Sequence, residues 1–167
     1  MPARGCALTG LGGASRLRAL AVIVSVAALV FGLDHLSKWL VVRGIPLGEQ
    51  RPESGPIDLH TVHNSGAAFG LFPQLQTVFL AVAVVVAVYI LVAGHRIGGG
   101  LTVQIALGAV LGGAAANAVD RAVQGYVVDF VELHVWPVFN VADSCIVLGI
   151  AAVVLTAGGR TATDQAR

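Results

Sequence analysis

Charge is what this chain has least of. Asp, Glu, Lys and Arg together make up 11% of its 167 residues, against about 25% in an average soluble domain. A soluble domain of this size leaves much of its surface in water and must cover it with polar groups, so the shortage excludes one. It also excludes intrinsic disorder, which needs polar and charged sequence. A strong charge of either sign is missing too. The formal net charge is +1 and no basic run exists, which excludes an electrostatic nucleic-acid binder. Cysteine is scarce: Cys6 and Cys145 are the only two, with no C-x-x-C, so neither a disulfide framework nor a thiolate metal site is expected. The five histidines form no H-E-x-x-H and no i, i+4 pair, so zinc is not expected. No Walker or Rossmann glycine pattern occurs, and no cofactor or metal is expected.

What is present is apolar length. Hydrophobic residues reach 56% and the mean hydropathy is +0.84. A bilayer-spanning helix needs about 20 mostly apolar residues, and four segments qualify: about 19–42, 73–93, 101–120 and 138–157. The second is rich in Val, but its length and lack of alternation argue against a strand. Arg16 and Arg18 before the first apolar run resemble the start of a signal peptide. No small-residue cleavage site follows, so a retained signal-anchor helix is expected. The expected fold is an all-α membrane protein of four transmembrane helices in one integral-membrane domain, 1–167. The 43–72 loop holds Pro46, Pro52 and Pro56, and its alternating Ile57–Val62 predicts a short strand in a small extracytoplasmic β-sheet.

Orientation follows from Lys and Arg. The side of the termini carries Arg4, Arg16, Arg18, Arg96, Arg160 and Arg167 against Asp164 alone. The other side has four basic residues, Lys38, Arg43, Arg51 and Arg121, against eight acidic ones. Cytoplasmic termini and an outer 43–72 loop are therefore expected.

The polar residues then converge on one leaflet. Asp34 and Lys38 are i, i+4 near the outer end of the first helix. Asn117, Asp120 and Arg121 lie at the outer end of the third. Asn140 and Asp143 are i, i+3 in the fourth, with Asp143 several residues in. Asp129 falls in the short outer connection before it, and His63-Asn64 in the loop before the second helix. Ionisable groups at this depth cost on the order of 2.5–3.5 kcal/mol at a helix centre and mark function, although helix ends cost less and permit snorkelling. Asp34 with Lys38, and Asp120 with Arg121, fit structural pairing as well as chemistry. Asp129 and Asp143 are different, since two carboxylates in one half-buried site suit acid–base work. A Ser144–Lys38 nucleophile is the lesser reading. Gly108 and Gly112 form a G-x-x-x-G that fits close helix packing. A small proton-coupled carrier or channel is the alternative function, because buried Asp and Asn also line such paths. The nearly apolar inner halves of helices two and four argue against a route through.

Five blocks in order resemble the lipoprotein signal peptidase (signal peptidase II) family: Asp34-His-Leu-Ser-Lys38, Asn64-Ser-Gly-Ala-Ala-Phe-Gly70, Gly112-Gly-Ala-Ala-Ala-Asn117-Ala-Val-Asp120-Arg121, Gly125-Tyr-Val-Val-Asp129-Phe130 and Phe139-Asn140-Val-Ala-Asp143. One departure shows: Ala116 stands where the family usually has Gly. The resemblance implies a membrane aspartyl endopeptidase of the bacterial cell membrane, active near the outer leaflet without cofactor. Its substrates are diacylglyceryl-modified prolipoproteins, cut before the lipid-modified cysteine, and its other partners are membrane lipids; a monomer is expected. Asp129 and Asp143 match the family's catalytic aspartates, one activating water and the other holding a proton. Asn64, Gly66, Asn117, Arg121 and Asn140 are implied to orient substrate and dyad. Asp34, Lys38 and Asp120 are implied to support the site.

Overall fold

The computed structural model describes residues 9–52, 56–66, 76–97 and 100–165. Helix α1 spans Thr9–Gly44, α2 Gln76–Ala93, α3 Gly100–Gln124 and α4 Val141–Gln165, with a 3-10 turn at Gly94–Arg96 after α2. Three strands, β1 (Gln50–Arg51), β2 (Asp58–Asn64) and β3 (Val127–Glu132), form an antiparallel sheet in the order β1-β2-β3. Helices α1, α2 with its 3-10 turn, and α3 are long and apolar enough to cross a membrane, and Val141–Ala157 of α4 is a shorter apolar helix. Ala67–Gly70, the expected start of the second span at 73–75, and Cys6 lie outside the described residues.

Helix α3 is the centre of the bundle and packs on α1, α2 and α4. Its glycines make this possible. A Cβ at Gly112 would stand 2.5 Å from the Ala27 carbonyl oxygen of α1, one at Gly108 2.7 Å from that of Ile23, and one at Gly113 2.5 Å from that of Ala142 in α4. Hydrogen at these positions lets the backbones touch, which drives helix association in lipid, where apolar burial gives little. Ala116 is fully enclosed in the same helix, so the family's departure is a methyl that the packing accommodates. Ile23, Ala27, Ile90, Val103, Leu107, Val110 and Leu111 close the core. Val85 and Val88 of α2, and Val154 and Leu155 of α4, are exposed on the outside of the bundle, as lipid-facing side chains are.

The sheet joins the C-terminal ends of α1 and α3 and the N-terminal end of α4, so all three strands gather at one end of the bundle. Strand β3 was not expected, since residues around Asp129 read as a plain connection. The run Val127-Val128-Asp129-Phe130-Val131 is mostly β-branched and buried on both faces, which is strand chemistry. Helix α1 begins ten residues before the expected start, and α4 begins at Val141 rather than at 138.

Candidate active site

Strand pairing makes the first part of the site. Asp129 lies opposite Val62, and Asn64 opposite Val127. Asp129 and Asn64 therefore sit diagonally on one face of neighbouring strands. The Asn64 amide donates to Asp129 Oδ2 at 2.8 Å, and Asn64 Oδ1 accepts the Gly66 N–H at 2.9 Å. After β3 the chain loops back until Phe139 pairs with Val131. That return sets Asn140 beside Asp129, and its Nδ2 donates to Asp129 Oδ1 at 2.7 Å.

The start of α4 makes the second part. Asn140 Oδ1 accepts the Asp143 N–H at 2.9 Å, and Asp143 Oδ2 accepts the Asn140 N–H at 3.3 Å. This is a reciprocal capping box, so Asp143 lies in the first turn of α4, not several residues in as expected. An aspartate there also meets the positive end of the helix dipole. Its other oxygen, Oδ1, accepts Asn117 Nδ2 at 2.8 Å. Each carboxylate is thus gripped by two N–H donors, and both line a cavity of about 220 Å³ together with Asn64 and Arg121. Asp129 is 2% exposed. Burial pushes its carboxyl up to about 6, with the nearby Asp143 charge acting in the same sense and the Asn64 and Asn140 hydrogen bonds opposing it.

Beneath this pair lies an ion cluster. Lys38 Nζ stands 2.6 Å from Asp34 Oδ2, 2.6 Å from Asp120 Oδ2 and 3.1 Å from Asn117 Oδ1. Asp34 Oδ1 also accepts the Ala142 N–H at 2.8 Å, which anchors α1 to the start of α4. Asn117 links the layers, touching Lys38, Asp143 and Asn140. Arg121 donates to the Gly66 carbonyl at 3.2 Å and to its own helix at Asn117 O at 3.3 Å. Every residue that the resemblance names for the site is therefore in one connected network, while His63 stacks on Tyr126 instead. Ser144 is not a partner of Lys38: its hydroxyl donates to Asn140 O at 3.1 Å. Sequence reading missed two things. Asn-x-x-Asp before an apolar run is itself a capping-box signal that would have set Asp143 at the helix start. A cluster of His134, Asp58, Glu132 and His60 forms beside the site and left no spacing signal, because β2–β3 pairing builds it.

An apolar helical bundle with two aspartates lining one cavity at its end fits the class of integral-membrane hydrolases of the aspartic type. The profile described as Signal peptidase (SPase) II matches residues 26–157. The chain is 36% identical over 135 residues to a lipoprotein signal peptidase of Halothermothrix orenii, covering 80% of this chain and 93% of that one. It is 42% identical over 127 residues to one of Moorella thermoacetica, covering 75% and 85%. A solved structure described as a bacterial membrane enzyme, obtained by the in meso method at 2.3 Å resolution, has the same fold with a TM-score of 0.74 at 24% identity, covering 86% of this chain and 91% of that one. The chain belongs to the signal peptidase II family of bacterial integral-membrane aspartic peptidases. The carrier or channel alternative finds no support in these likenesses.

Proposed function

We propose that the protein removes signal peptides from diacylglyceryl-modified prolipoproteins at the outer face of the bacterial cell membrane, with Asp129 and Asp143 as the reacting pair. The observation that carries the assignment of the pair is a cavity lined by both carboxylates, each held by two N–H donors. Such donors favour the ionised form and burial favours the neutral one, so the pair suits the sharing of one proton. The ionised member takes a proton from water, and the resulting hydroxide attacks the scissile carbonyl. The protonated member donates its proton to the oxygen that becomes negative, and takes it back as the carbonyl re-forms on collapse of the tetrahedral diol. The proton taken from water then passes to the departing amine as the C–N bond breaks. Asn64, Asn117 and Asn140 fix the carboxylate orientations, and Arg121 with Gly66 borders the entrance. Asp34, Lys38 and Asp120 hold the ends of α1, α3 and α4 in register beneath. A scissile bond next to an acylated cysteine lies at the membrane surface, the depth expected for this end of the bundle.

The test is cleavage of a lipid-modified precursor by purified protein. Asp129→Asn and Asp143→Asn each keep shape while removing the titrating proton. Each is expected to lower turnover on the order of 10³-fold or more, and the double variant little further, because groups acting as a unit are not additive. Ser144→Ala and Cys145→Ala should turn over near normally. Normal turnover in either aspartate variant rejects the assignment.

A further inference from the structure

Three cavities meet at the paired aspartates, and Trp136 lines all of them. One of about 410 Å³ is bounded by Asn64, Asp129 and His134, a second of about 220 Å³ reaches both aspartates, and a third of about 310 Å³ runs from Asp143 to Val147 and Leu148 on α4. The Trp136 side chain is 62% exposed, so burial against the protein does not fix it there. The anchor lies two residues earlier in the same Leu133–Val138 loop. His134 is the one non-glycine residue with a left-handed backbone among those described, at φ 58. Its Nε2 stands 3.0 Å from Asp58 Oδ2 and its Nδ1 3.9 Å from Glu132 Oε1. Glu132 Oε2 in turn meets His60 Nδ1 at 2.9 Å.

Asp58 is 1% exposed, and neither of its oxygens has a hydrogen-bond partner among the described residues. The His134 ring is its compensating contact. A buried carboxylate without hydrogen bonds and a left-handed non-glycine residue are each unfavourable on their own. Both meet in this one contact. The two ring nitrogens face different carboxylates, so the imidazole bridges them and does not converge with them on a point where a metal ion would sit.

We infer that His134 is a positioning residue: bridged between Asp58 and Glu132, it latches the Leu133–Val138 loop so that Trp136 forms the wall against which the apolar side chains flanking the scissile bond pack. The inference rests on Asp129 and Asp143 being the reacting pair. An indole shared by three cavities touches whatever enters any of them, and its apolar face suits a signal-peptide segment. Released from the latch, the loop loses that geometry while the aspartates keep theirs, because their donors come from Asn64, Asn117 and Asn140.

The experiment uses the full-length purified protein and a diacylglyceryl-modified precursor, with KM and kcat measured separately. Trp136→Ala is expected to raise KM about tenfold with kcat within about twofold. His134→Gln and Asp58→Asn should each raise KM similarly, and their double variant no more than either alone, since they share one contact. His134→Gly keeps the left-handed backbone available while removing the ring, so it should match His134→Gln even if Asp58→Asn fails to fold. Replacing Trp39, the other of two tryptophans, by Phe leaves Trp136 as the sole tryptophan, excited selectively at the red edge of the aromatic band. Substrate should shield it from acrylamide quenching, and His134→Gly should make it easier to quench without substrate. An unchanged KM in Trp136→Ala, a fall in kcat alone, or a folded His134→Gly with normal KM and quenching overturns the proposal. Failure of the reacting-pair reading shows separately, as normal turnover in Asp129→Asn.

Discussion

A buried charge is stable only in company, and the ion cluster under the site shows how strict that is. Lys38 is surrounded by Asp34, Asp120 and Asn117, with Asp34 fully buried. Lys38→Met leaves the buried carboxylates of Asp34 and Asp120 without their shared ammonium, and should cost about 3–5 kcal/mol, read as a lowered midpoint of thermal unfolding in detergent. Exchanging the charges (Asp34→Lys with Lys38→Asp) should recover only part of that, because a lysine at 34 cannot accept the Ala142 N–H. A full recovery would mean that the Ala142 contact contributes nothing. Asp129 gives a pH signature. Its carboxyl rises from an ordinary 3.8 to about 6 in the folded protein, so between those values the folded state holds a proton that the unfolded state has lost. Stability from this group is present below about 3.8 and falls as pH rises through about 6, by on the order of 2–3 kcal/mol in all. Asp129→Asn should flatten that limb of the stability–pH curve while leaving the rest in place. An unaltered curve would show that Asp129 does not titrate there.

At the scale of elements, what the sequence made legible depended on whether one segment or two create the feature. Apolar length gave four helices, and i, i+4 spacing gave the Asp34–Lys38 pair, because both are properties of a single helix. The alternation Ile57–Val62 marked β2 but not its end, since Asn64 is a strand residue only through pairing with Val127. Strand β3 escaped because its inward polar residue, Asp129, interrupts an otherwise apolar run that is buried on both faces. The His134 cluster was illegible, as its members are ordinary residues until β2 and β3 meet. The α4 cap is legible in Asn140-Val-Ala-Asp143, whose i, i+3 spacing also fits a helix face. Its test separates capping from chemistry. Asn140→Ser keeps an oxygen for the Asp143 N–H but loses the amide that grips Asp129, whereas Asn140→Ala loses both. Serine should preserve about 1 kcal/mol of stability relative to alanine, yet turnover should fall comparably in the two. Equal stability of the two variants would show that the cap contributes little.

The whole molecule is polarised, and its polarity decides which compartment the cavity opens to. One end of the bundle holds the sheet, both aspartates and all the acidic residues of the described chain other than Asp164. The opposite end holds Arg16, Arg18 and Arg96. Lys and Arg near the ends of spans are in excess on the cytoplasmic side, and the aspartate end pairs its few basic residues with most of the acidic ones, so it is expected to face outward. A precursor bearing its acylated cysteine at the outer leaflet then meets the cavity without crossing the membrane. Single thiols read this directly, once Cys6 and Cys145 are replaced. Leu47, exposed in the turn before β1, should as Leu47→Cys react in intact cells with a maleimide that cannot cross membranes. Ser15, exposed near the start of α1, should as Ser15→Cys react only after the cells are opened. Both changes leave every basic residue in place, so neither disturbs the signal that sets the orientation. Reaction of Ser15→Cys in sealed cells, with Leu47→Cys protected, would invert the molecule and put the paired aspartates in the wrong compartment for the proposed substrate.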